Sequence, residues 1–435
     1  MAAISFLQLP TEVTQLICSW VDPGDLLRVR QTCRELNERT FLLFTQRFFQ
    51  SRCVMILPES LENLHQISQH PVLSKAVRTL EISTLYFVPS DELKPLLEVE
   101  QDEQDEQDGS GSWYRSPAVV AYQAYHSAQQ ELLKGDTNIP PLTDALKGFT
   151  NCTSIGTVDL HTRLPWGFKA LTRGLEICFP TRAGGSDYGR ELESFINSQH
   201  VAQTSQESSP GVLDLILGVV MGLAMECHVP VQHLNIFSQG DPDSVCHGLS
   251  EYHSSELSNI NRLDFVLVSP SCTCWAHDGG KGWKDSVKLI AACPELTHLQ
   301  VFMTHRLRFA SLSYIHAPKL TTFELHCMEC RDADIIDFFR RHRETLRSVK
   351  MTFCMLQAAN LRVRWTSDGT DPNFEAWGQV LSVLRDETNV EELHLKEIHS
   401  SYGGHGPWRA NSKDDITRVI GEMAESSALK LQAWQ

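Results

Sequence analysis

The residues best suited to hold a metal ion are cysteines and a histidine in two short stretches of the chain. Cys272, Cys274 and His277 form one stretch, and Cys327 and Cys330 form the other with a CxxC spacing. A structural zinc site needs four thiolate or imidazole ligands, usually from two CxxC-like knuckles. Here only one pair has that spacing, and Cys327 directly follows a predicted strand, where a small cysteine suits the protein core. We therefore predict no metal and no cofactor, with a zinc-containing protein as the alternative.

The chain lacks the motifs that mark common catalytic sites. It contains no GxSxG, HExxH or GxGxxG motif and no Walker lysine loop. Residues 279–282 read GGKG, but no Ser or Thr follows the lysine, so the spacing of a phosphate-binding loop is missing. The histidines are numerous but dispersed. We expect that the protein is not an enzyme.

The composition indicates a folded, acidic protein. Hydrophobic residues make up 42% and charged residues 21% of the 435 residues, which excludes wholesale disorder. The net charge of −16 disfavours nucleic acid as a partner, because proteins that bind nucleic acid present a basic face. Residues 98–108 alone carry seven carboxylates and no Lys or Arg. Together with the Gly/Ser stretch that follows, they predict an acidic, disordered linker over residues 98–116.

Cysteine usage and hydropathy indicate a reducing compartment. The thirteen cysteines are scattered without the dense framework of a secreted disulfide scaffold. The first residues lack a basic segment and reach an acidic residue at Glu12, which is not typical of a signal peptide. The longest apolar stretch, 211–225, includes Asp214 and is shorter than the roughly 20 residues of a membrane helix. We predict a protein of the cytoplasm or nucleus that does not span a membrane.

A short apolar pattern recurs along most of the chain. Its form is apolar-x-x-apolar-x-apolar, and its last two positions have the alternation of a β-strand. The eight copies are Val77/Leu80/Ile82, Ile155/Val158/Leu160, Val231/Leu234/Ile236, Ile260/Leu263/Phe265, Leu296/Leu299/Val301, Leu320/Phe323/Leu325, Leu346/Val349/Met351 and Val390/Leu393/Leu395. Residues 333–343 and 376–385 precede two of these copies and have a helical pattern. One strand and one helix per unit is typical of a repeat array.

The spacing of the copies predicts an irregular leucine-rich-repeat-like solenoid. Gaps of 24 and 26 residues lie within the range of about 20–29 for such repeats, whereas gaps of 36, 44 and 76 indicate insertions. A closed α/β fold is the alternative. In an open array the strands and inserted loops would bind a partner. Loop 399–413 offers Tyr402, Trp408 and Arg409 as contact residues, unless it is a disordered loop.

The N-terminal region is predicted to form three short helices with more apolar surface than they can cover. Val13, Leu16, Ile17 and Trp20 fall on one stripe of a first helix, which ends at the turn triplet 22–24. A second helix carries Leu26, Val29, Cys33 and Leu36, and a third apolar set is Phe41, Leu42, Phe44 and Phe48. Because units this small rarely fold stably alone, the uncovered stripe predicts a docked partner.

The same region resembles an F-box. The motifs that carry the resemblance are LPTEV at residues 9–13, ICSWV at 17–21, DLLRV at 25–29 and CREL at 33–36, where Leu36 replaces a frequent Trp. The order of an F-box followed by leucine-rich-like repeats is similar to a large fungal family of F-box proteins. The resemblance implies docking onto a Skp-family adaptor of a cullin–RING ubiquitin ligase, while the remaining chain selects a protein substrate.

Eight residues match the adaptor-facing positions of that family. They are Leu9, Pro10, Val13, Ile17, Leu26, Leu27, Val29 and Cys33. Each of them could equally pack in the core of the F-box itself, because core and interface merge in so small a unit. The resemblance thus implies a substrate-receptor subunit of an SCF-type ligase. The alternatives are an adaptor-bound scaffold that acts outside the ligase, and a zinc-containing interaction protein without an F-box.

The predicted fold is α/β, with a three-helix F-box followed by the solenoid of strand–helix units. The predicted domains are the F-box at 5–50, a linking helix with the first repeat-like strand at 51–97, the acidic linker at 98–116, and the repeat-like substrate-recognition domain at 117–435.

Overall fold

The computed structural model describes a large part of the chain, in two compact units. The described residues are 6–84, 87, 117–134, 139–158, 212–239, 257–268, 281–308, 312–357, 372–396, 398–400, 403–405, 408–410, 412, 414–419 and 422. Unit 1 comprises Met1–Ile155, Leu160–Arg182 and Gly222–Pro230, and unit 2 comprises Gly156–Asp159, Ala183–Met221 and Val231–Gln435. The predicted linker at 98–116 lies outside the described residues, and the predicted domain boundaries stay a prediction.

Residues 6–50 form four α-helices rather than the three that the sequence predicts. They are α1 (Thr11–Ser19), α2 (Pro23–Thr32), α3 (Arg34–Arg39) and α4 (Phe41–Phe49), after a 3₁₀ turn at Phe6–Gln8. The predicted continuous helix through Cys33 and Leu36 is wrong, because Cys33 is extended (φ −158°, ψ 161°) and a new helix begins after it. Pro23 and Gly24 belong to the first turn of α2, where the missing N–H of proline removes no helical hydrogen bond.

The rest of unit 1 joins a pair of parallel strands to helices. Its elements are β1 (Ser51–Val54), α5 (Pro58–Gln69), α6 (Leu73–Ala76), β2 (Thr79–Ser83), α7 (Pro117–Lys134) and α8 (Pro140–Gly148). Arg52 pairs with Leu80 and Val54 with Ile82. Helices α5 and α8 pack closely, since a Cβ built on Gly148 would lie only 2.8 Å from the Cβ of Ser68. Strand β3 (Ser154–Val158) begins beside β2, where Ser154 N–H donates to the Arg78 carbonyl.

Unit 2 is built on a sheet of parallel strands, each paired in register with the next. These are β4 (His233–Gln239), β5 (Arg262–Val268), β6 (His298–Arg308), β7 (Thr322–Arg331), β8 (Ser348–Thr352) and β10 (Glu392–Lys396). Strand β13 (Trp408–Ala410) pairs antiparallel with β10. Three short strands, β9 (Met355–Gln357), β11 (Ile398–Ser400) and β12 (Gly403–His405), form a smaller extension beside β7. The α/β class with a parallel sheet is therefore present.

One face of this sheet is apolar and buried. Two rows of side chains cross it, Leu234, Leu263, Leu299, Phe323, Val349 and Leu393 in one row and Ile236, Phe265, Val301, Leu325, Met351 and Leu395 in the other. These are the last two positions of six copies of the apolar pattern, so the predicted strands are confirmed. Helices α10 (Lys281–Ala291), α11 (Asp332–Arg341) and α12 (Pro372–Glu387) precede β6, β8 and β10. The predicted helices at 333–343 and 376–385 are confirmed as α11 and α12.

Helix α11 packs against the apolar face of the sheet. The rings of Phe338 and Phe323 lie 4.5 Å apart, centroid to centroid, and both side chains are fully buried. The segments that precede these strands are not alike. A three-residue 3₁₀ turn at Leu312–Tyr314 precedes β7, whereas α-helices precede β6, β8 and β10. The apolar stretch at 211–225 forms α9 (Val212–Glu226). No helix among the described residues combines the length and hydropathy that crossing a bilayer requires.

His342 links the end of α11 to the loop before β7 through a neutral imidazole. Its Nδ1–H donates to the Phe338 carbonyl at 2.8 Å, and its Nε2 accepts from the Ala317 N–H at 3.3 Å. Burial lowers the pKa of His342 below its ordinary value. Protonation at Nε2 would set the new N–H of the ring against the Ala317 N–H, which is also a donor. The folded state therefore binds this proton less readily than the unfolded chain does.

We expect the stability of unit 2 to fall as the pH decreases from 7.5 to 5.5, and His342→Gln to reduce this fall. The unfolded chain binds a proton on His342 near its ordinary pKa of 6.5, whereas burial lowers the pKa of His342 in the folded chain, so acid favours unfolding. Glutamine stays neutral and retains one donor and one acceptor. Thermal unfolding at both pH values measures the effect, with His228→Gln, at an exposed histidine remote in sequence from His342, as the control. Equal pH dependence in wild type and His342→Gln would contradict this account.

Candidate docking surfaces

Helix α1 exposes a stripe of large apolar side chains. The exposed fractions are 39% for Val13, 62% for Leu16, 42% for Ile17 and 85% for Trp20. These four positions follow one another at helical spacing, so they form one surface rather than scattered contacts. Leu27 on α2 and Leu42 on α4 are also exposed. We call these six residues the apolar stripe. Large exposed apolar side chains grouped in this way, as the four on α1 are, are typical of a protein-binding site.

Buried contacts on the opposite side of α1 hold the stripe outward. Thr14 and Cys18 of α1 are buried together with Leu26 of α2. Arg39 of α3 donates through Nη1 to the Leu9 carbonyl at 2.5 Å, and its own carbonyl accepts from Gln15 Nε2 at 2.8 Å. The segment before α1 and α1 itself are thus tied to α3, which fixes the orientation of the stripe.

Arg30 on α2 connects its own helix to α3 and α4. Its guanidinium carbon lies 3.5 Å from the ring centroid of Phe44 on α4, a cation–π contact. The same group donates to Asn37 Oδ1 on α3 at 2.6 Å. Arg47 on α4 donates to the Val21 carbonyl, which anchors the loop between α1 and α2. Non-covalent side-chain contacts therefore connect the four helices, although few of their apolar residues are buried.

The eight sequence-predicted residues occupy three environments. Pro10, Val13, Ile17 and Leu27 are exposed, and Leu9, Val29 and Cys33 are half-buried. Leu26 is fully buried, so it packs in the core of the helices, which is the alternative that the sequence left open. Sequence reasoning omitted Leu16, Trp20 and Leu42 from the site, although Leu16 and Trp20 already lay on the predicted stripe of the first helix. The role of these residues in adaptor binding stays a prediction.

Comparison with protein families supports the resemblance that the motifs suggest. Residues 6–50 match the F-box-like family. The chain contains an F-box-like domain. The match covers all four N-terminal helices and about a tenth of the chain. A search of curated proteins finds no match to this chain. F-box domains generally bind Skp-family adaptors of cullin–RING ligases, so this domain supports an adaptor-binding role.

A second surface is the polar face of the unit 2 sheet, opposite the two buried apolar rows. Its residues alternate with the buried ones along each strand. One row across the strands is Asn235, Asp264, Gln300, Glu324, Lys350, His394 and Arg409. Each of the first six residues in this row lies between the last two apolar positions of one copy of the apolar sequence pattern. The sequence therefore contained a signal for this face, which a search for apolar positions alone did not use.

Two carboxylates on this face are held by basic neighbours. Asp264 Oδ2 lies 2.8 Å from His233 Nε2 and 3.0 Å from Arg262 Nε. Burial by itself would raise the pKa of Asp264, but the hydrogen bond from His233 and the charge of Arg262 lower it below its ordinary value. Asp264 is therefore ionised and paired within the sheet.

Glu324 is surrounded by three basic side chains. The pKa of Glu324 is lowered to about 2, first by His326 and then by Lys350, although burial opposes the shift. Lys350 Nζ donates to Glu324 at 2.9 Å, whereas the Nε2 atoms of His326 and His298 lie 3.6 and 3.7 Å from its carboxylate oxygens. These longer distances are electrostatic contacts rather than hydrogen bonds. The polar face is thus rich in imidazole and cationic groups whose nearby carboxylates are already engaged.

The five candidate metal ligands, for which the sequence predicts no metal, are only partly described. Cys272, Cys274 and His277 lie outside them, and Cys327 and Cys330 belong to β7. Burial raises the pKa of the Cys330 thiol well above its ordinary value, which disfavours the thiolate that zinc requires. In the described part of the chain, no group of three or more His, Cys, Asp or Glu side chains could hold a metal ion.

Loop 399–413 contains short strands rather than only irregular backbone. Residues 403–405 form β12, and Trp408 and Arg409 belong to β13, which pairs with β10. The alternative of a wholly disordered loop is therefore wrong for these residues. Arg409 is exposed on the polar face beside His394, whereas Tyr402 lies outside the described residues.

Proposed function

We propose that this protein is a substrate-receptor subunit of an SCF-type cullin–RING ubiquitin ligase. The F-box-like domain would dock onto a Skp-family adaptor, and the C-terminal repeat-like region would bind a protein substrate. The observation that carries this proposal is the apolar stripe within residues 6–50, which is uncovered on the domain that matches the family. The protein would catalyse nothing itself. It would raise the effective concentration of substrate beside the catalytic subunits.

The energetics of the stripe are adequate for such docking. Burial of a large aliphatic side chain contributes about 1.5–3 kcal/mol before ordering costs, and a few central residues commonly dominate an interface. Trp20 and Leu16 are the most exposed members of the stripe and gain the most from burial. The stripe faces outward without rearrangement of the helices, so little conformational cost would oppose docking.

The form of unit 2 supports the substrate-binding half of the proposal. Parallel strands stack one after another, with an apolar face under helices and a polar face of alternating side chains. We propose that these units form an irregular leucine-rich-repeat-like solenoid, as in the large fungal F-box family, with the polar face as the receptor surface. Exposed polar positions across neighbouring strands can vary without disturbing the core, which suits a recognition surface.

The proposal includes a location in the cytoplasm or nucleus. It is supported by the thirteen cysteines of the sequence, which lack the dense framework of a secreted disulfide scaffold. We propose protein partners only, without nucleic acid or membrane. The acidic segment at 98–108 would then serve as a spacer between the first strands and most of the repeat-like region.

Affinity purification of the full chain with a Skp-family adaptor and a cullin tests the proposal. We expect both to be retained, because the F-box-like domain binds the adaptor and the adaptor binds the cullin. Retention of the adaptor without the cullin would support the alternative of a scaffold outside the ligase. Retention of neither would contradict both. Metal analysis of the same preparation addresses the zinc alternative, for which about one zinc per chain is required.

A further inference from the structure

Helix α1 has side chains of opposite charge beside its two ends. Glu12 is exposed in the first turn of the helix. Just past the other end, Arg47 of α4, which is also exposed, donates to the Val21 carbonyl. Within the described part of the chain, neither Glu12 nor Arg47 forms an ion pair. The four exposed apolar side chains of α1 therefore lie between an anion and a cation that no counter-charge in this region neutralises.

The apolar positions of α1 suit pairing with the same helix of a second copy. In an antiparallel pair, a two-fold axis midway between Leu16 and Ile17 sets these two residues of opposite copies face to face. The same axis sets Val13 opposite Trp20, because the two are equally far from the midpoint. The most exposed side chain, Trp20, thus meets the smallest member of the set. Axes of packed helices lie about 8–10 Å apart, a gap that such side chains fill.

The charges favour the antiparallel direction over the parallel one. The same two-fold axis sets Glu12 opposite Val21, where Arg47 is held, so each Glu12 meets the Arg47 of the other copy. A parallel pair would instead bring like charges together. Antiparallel helices also oppose their macrodipoles favourably. Residues 6–50 carry five acidic and five basic side chains, so no net charge on this domain opposes the approach of a second copy, although the whole chain carries −16.

We propose that, without the adaptor, α1 pairs antiparallel with α1 of a second copy, with two symmetric ion pairs between Glu12 and Arg47. The regulatory part of this inference rests on the proposed function, because the adaptor would bind the same apolar side chains. The dimer would cover the stripe until an adaptor displaces the second copy. A contact of two helical turns is small, and interfaces below about 1,200 Å² are typical of transient complexes. The dimer is therefore weak enough for displacement.

Sedimentation velocity of the full chain over a wide range of concentrations tests the proposal. We expect a monomer–dimer equilibrium, which Glu12→Arg should weaken about tenfold, because one substitution replaces both symmetric ion pairs by repulsions. The matched control is Glu59→Arg. Glu59 is also exposed in the first turn of a helix, α5, but lies outside the F-box-like domain. We expect the dimer dissociation constant of this control to stay within about twofold of wild type, since two-fold differences correspond to small free energies.

Mixing two variants gives a sharper test of the predicted contact. Arg47→Glu alone should also weaken the dimer, because Glu12 then faces a second carboxylate. An equimolar mixture of the Glu12→Arg and Arg47→Glu chains should recover association, since both contacts of the mixed dimer again join opposite charges. Recovery on mixing also shows that each variant is folded, and thermal unfolding of the separate variants verifies this.

Three outcomes would overturn the proposal. These are a wild-type chain that stays monomeric at every concentration, equal weakening by Glu12→Arg and Glu59→Arg, and no recovery on mixing. Addition of a Skp-family adaptor to the wild-type chain should convert dimers into adaptor complexes with one receptor chain. A monomeric chain that binds the adaptor would contradict this inference alone. A dimeric chain that does not bind the adaptor would contradict the proposed receptor role instead.

Discussion

Val13→Asp combined with Ile17→Asp should weaken binding of a Skp-family adaptor by about 100-fold or more. Both residues lie on the apolar stripe one helical turn apart, and each is exposed by about two fifths. Docking would desolvate the two introduced carboxylates in place of aliphatic groups worth about 1.5–3 kcal/mol each. A loss of about 3 kcal/mol corresponds to roughly 100-fold in Kd. Isothermal titration of the purified chain with the adaptor measures the change.

The structure determines which residues make this test informative. Leu26 is fully buried, so a charge there would unfold the helices and abolish binding for a reason unrelated to docking. Val72→Asp is the matched control, because Val72 is 41% exposed against 39% for Val13 and lies outside the F-box-like domain. We expect adaptor affinity in this control to stay within twofold of wild type. An unchanged affinity in the Val13/Ile17 variant would show that the adaptor does not bind the stripe.

Gly156→Val should destabilise unit 2 by about 3 kcal/mol or more. A Cβ at Gly156 would lie 2.5 Å from the backbone oxygen of Asn235 and 2.7 Å from its Cβ, closer than van der Waals contact allows. Thr157 holds the strands at this distance, because its Oγ1 accepts from the Phe237 N–H at 2.8 Å and donates to the Phe237 carbonyl at 3.0 Å. Overpacking in so tight a contact costs about 1–3 kcal/mol, and more where backbone must move. Urea unfolding measures the loss.

The sign of the stability change in Gly156→Val distinguishes steric crowding from strand propensity. Valine favours strands more than glycine does, so propensity alone would make Gly156→Val stabilising. The control is Gly378→Ala in α12, where an added Cβ meets nothing within 4 Å. Alanine is favoured over glycine in helices by about 1 kcal/mol, so this variant should be slightly more stable than wild type. A stable Gly156→Val protein would mean that β3 and β4 separate at little cost.

The strands of unit 2 could be predicted because their apolar residues alternate and are bounded by a third apolar position. Leu299, Val301 and the preceding Leu296 show the rule, since all three are fully buried. The pattern depends on burial of one face, which is a local property of each strand. It therefore survives irregular spacing, and α11 and α12 could be located by the same reasoning.

Other features depend on contacts between distant residues and could not be predicted. The break at Cys33 interrupts an apolar spacing that would suit a continuous helix. Leu26 and Leu27 are adjacent and alike, yet one is buried and the other exposed, which only the packing of four helices decides. The pairing of Gly156 with Asn235 joins residues almost 80 positions apart. The positions of the polar face could be predicted from the alternation along each strand. Its ion pairs could not, because they depend on the register between strands.

Six strands of unit 2, β4 to β8 and then β10, pair side by side in parallel, so the chain length between neighbouring strands can vary widely. The row from Asn235 to His394 keeps one register across these six strands, and the register shift between β6 and β7 comes only after Phe302, whether strands are separated by short or long connections. Lengthening a connection adds mainly closure entropy, about 0.6 kcal/mol for each doubling. Insertions can therefore accumulate between strands while the sheet keeps its geometry. The loops, and what they contact, can thus differ widely without a change in the core.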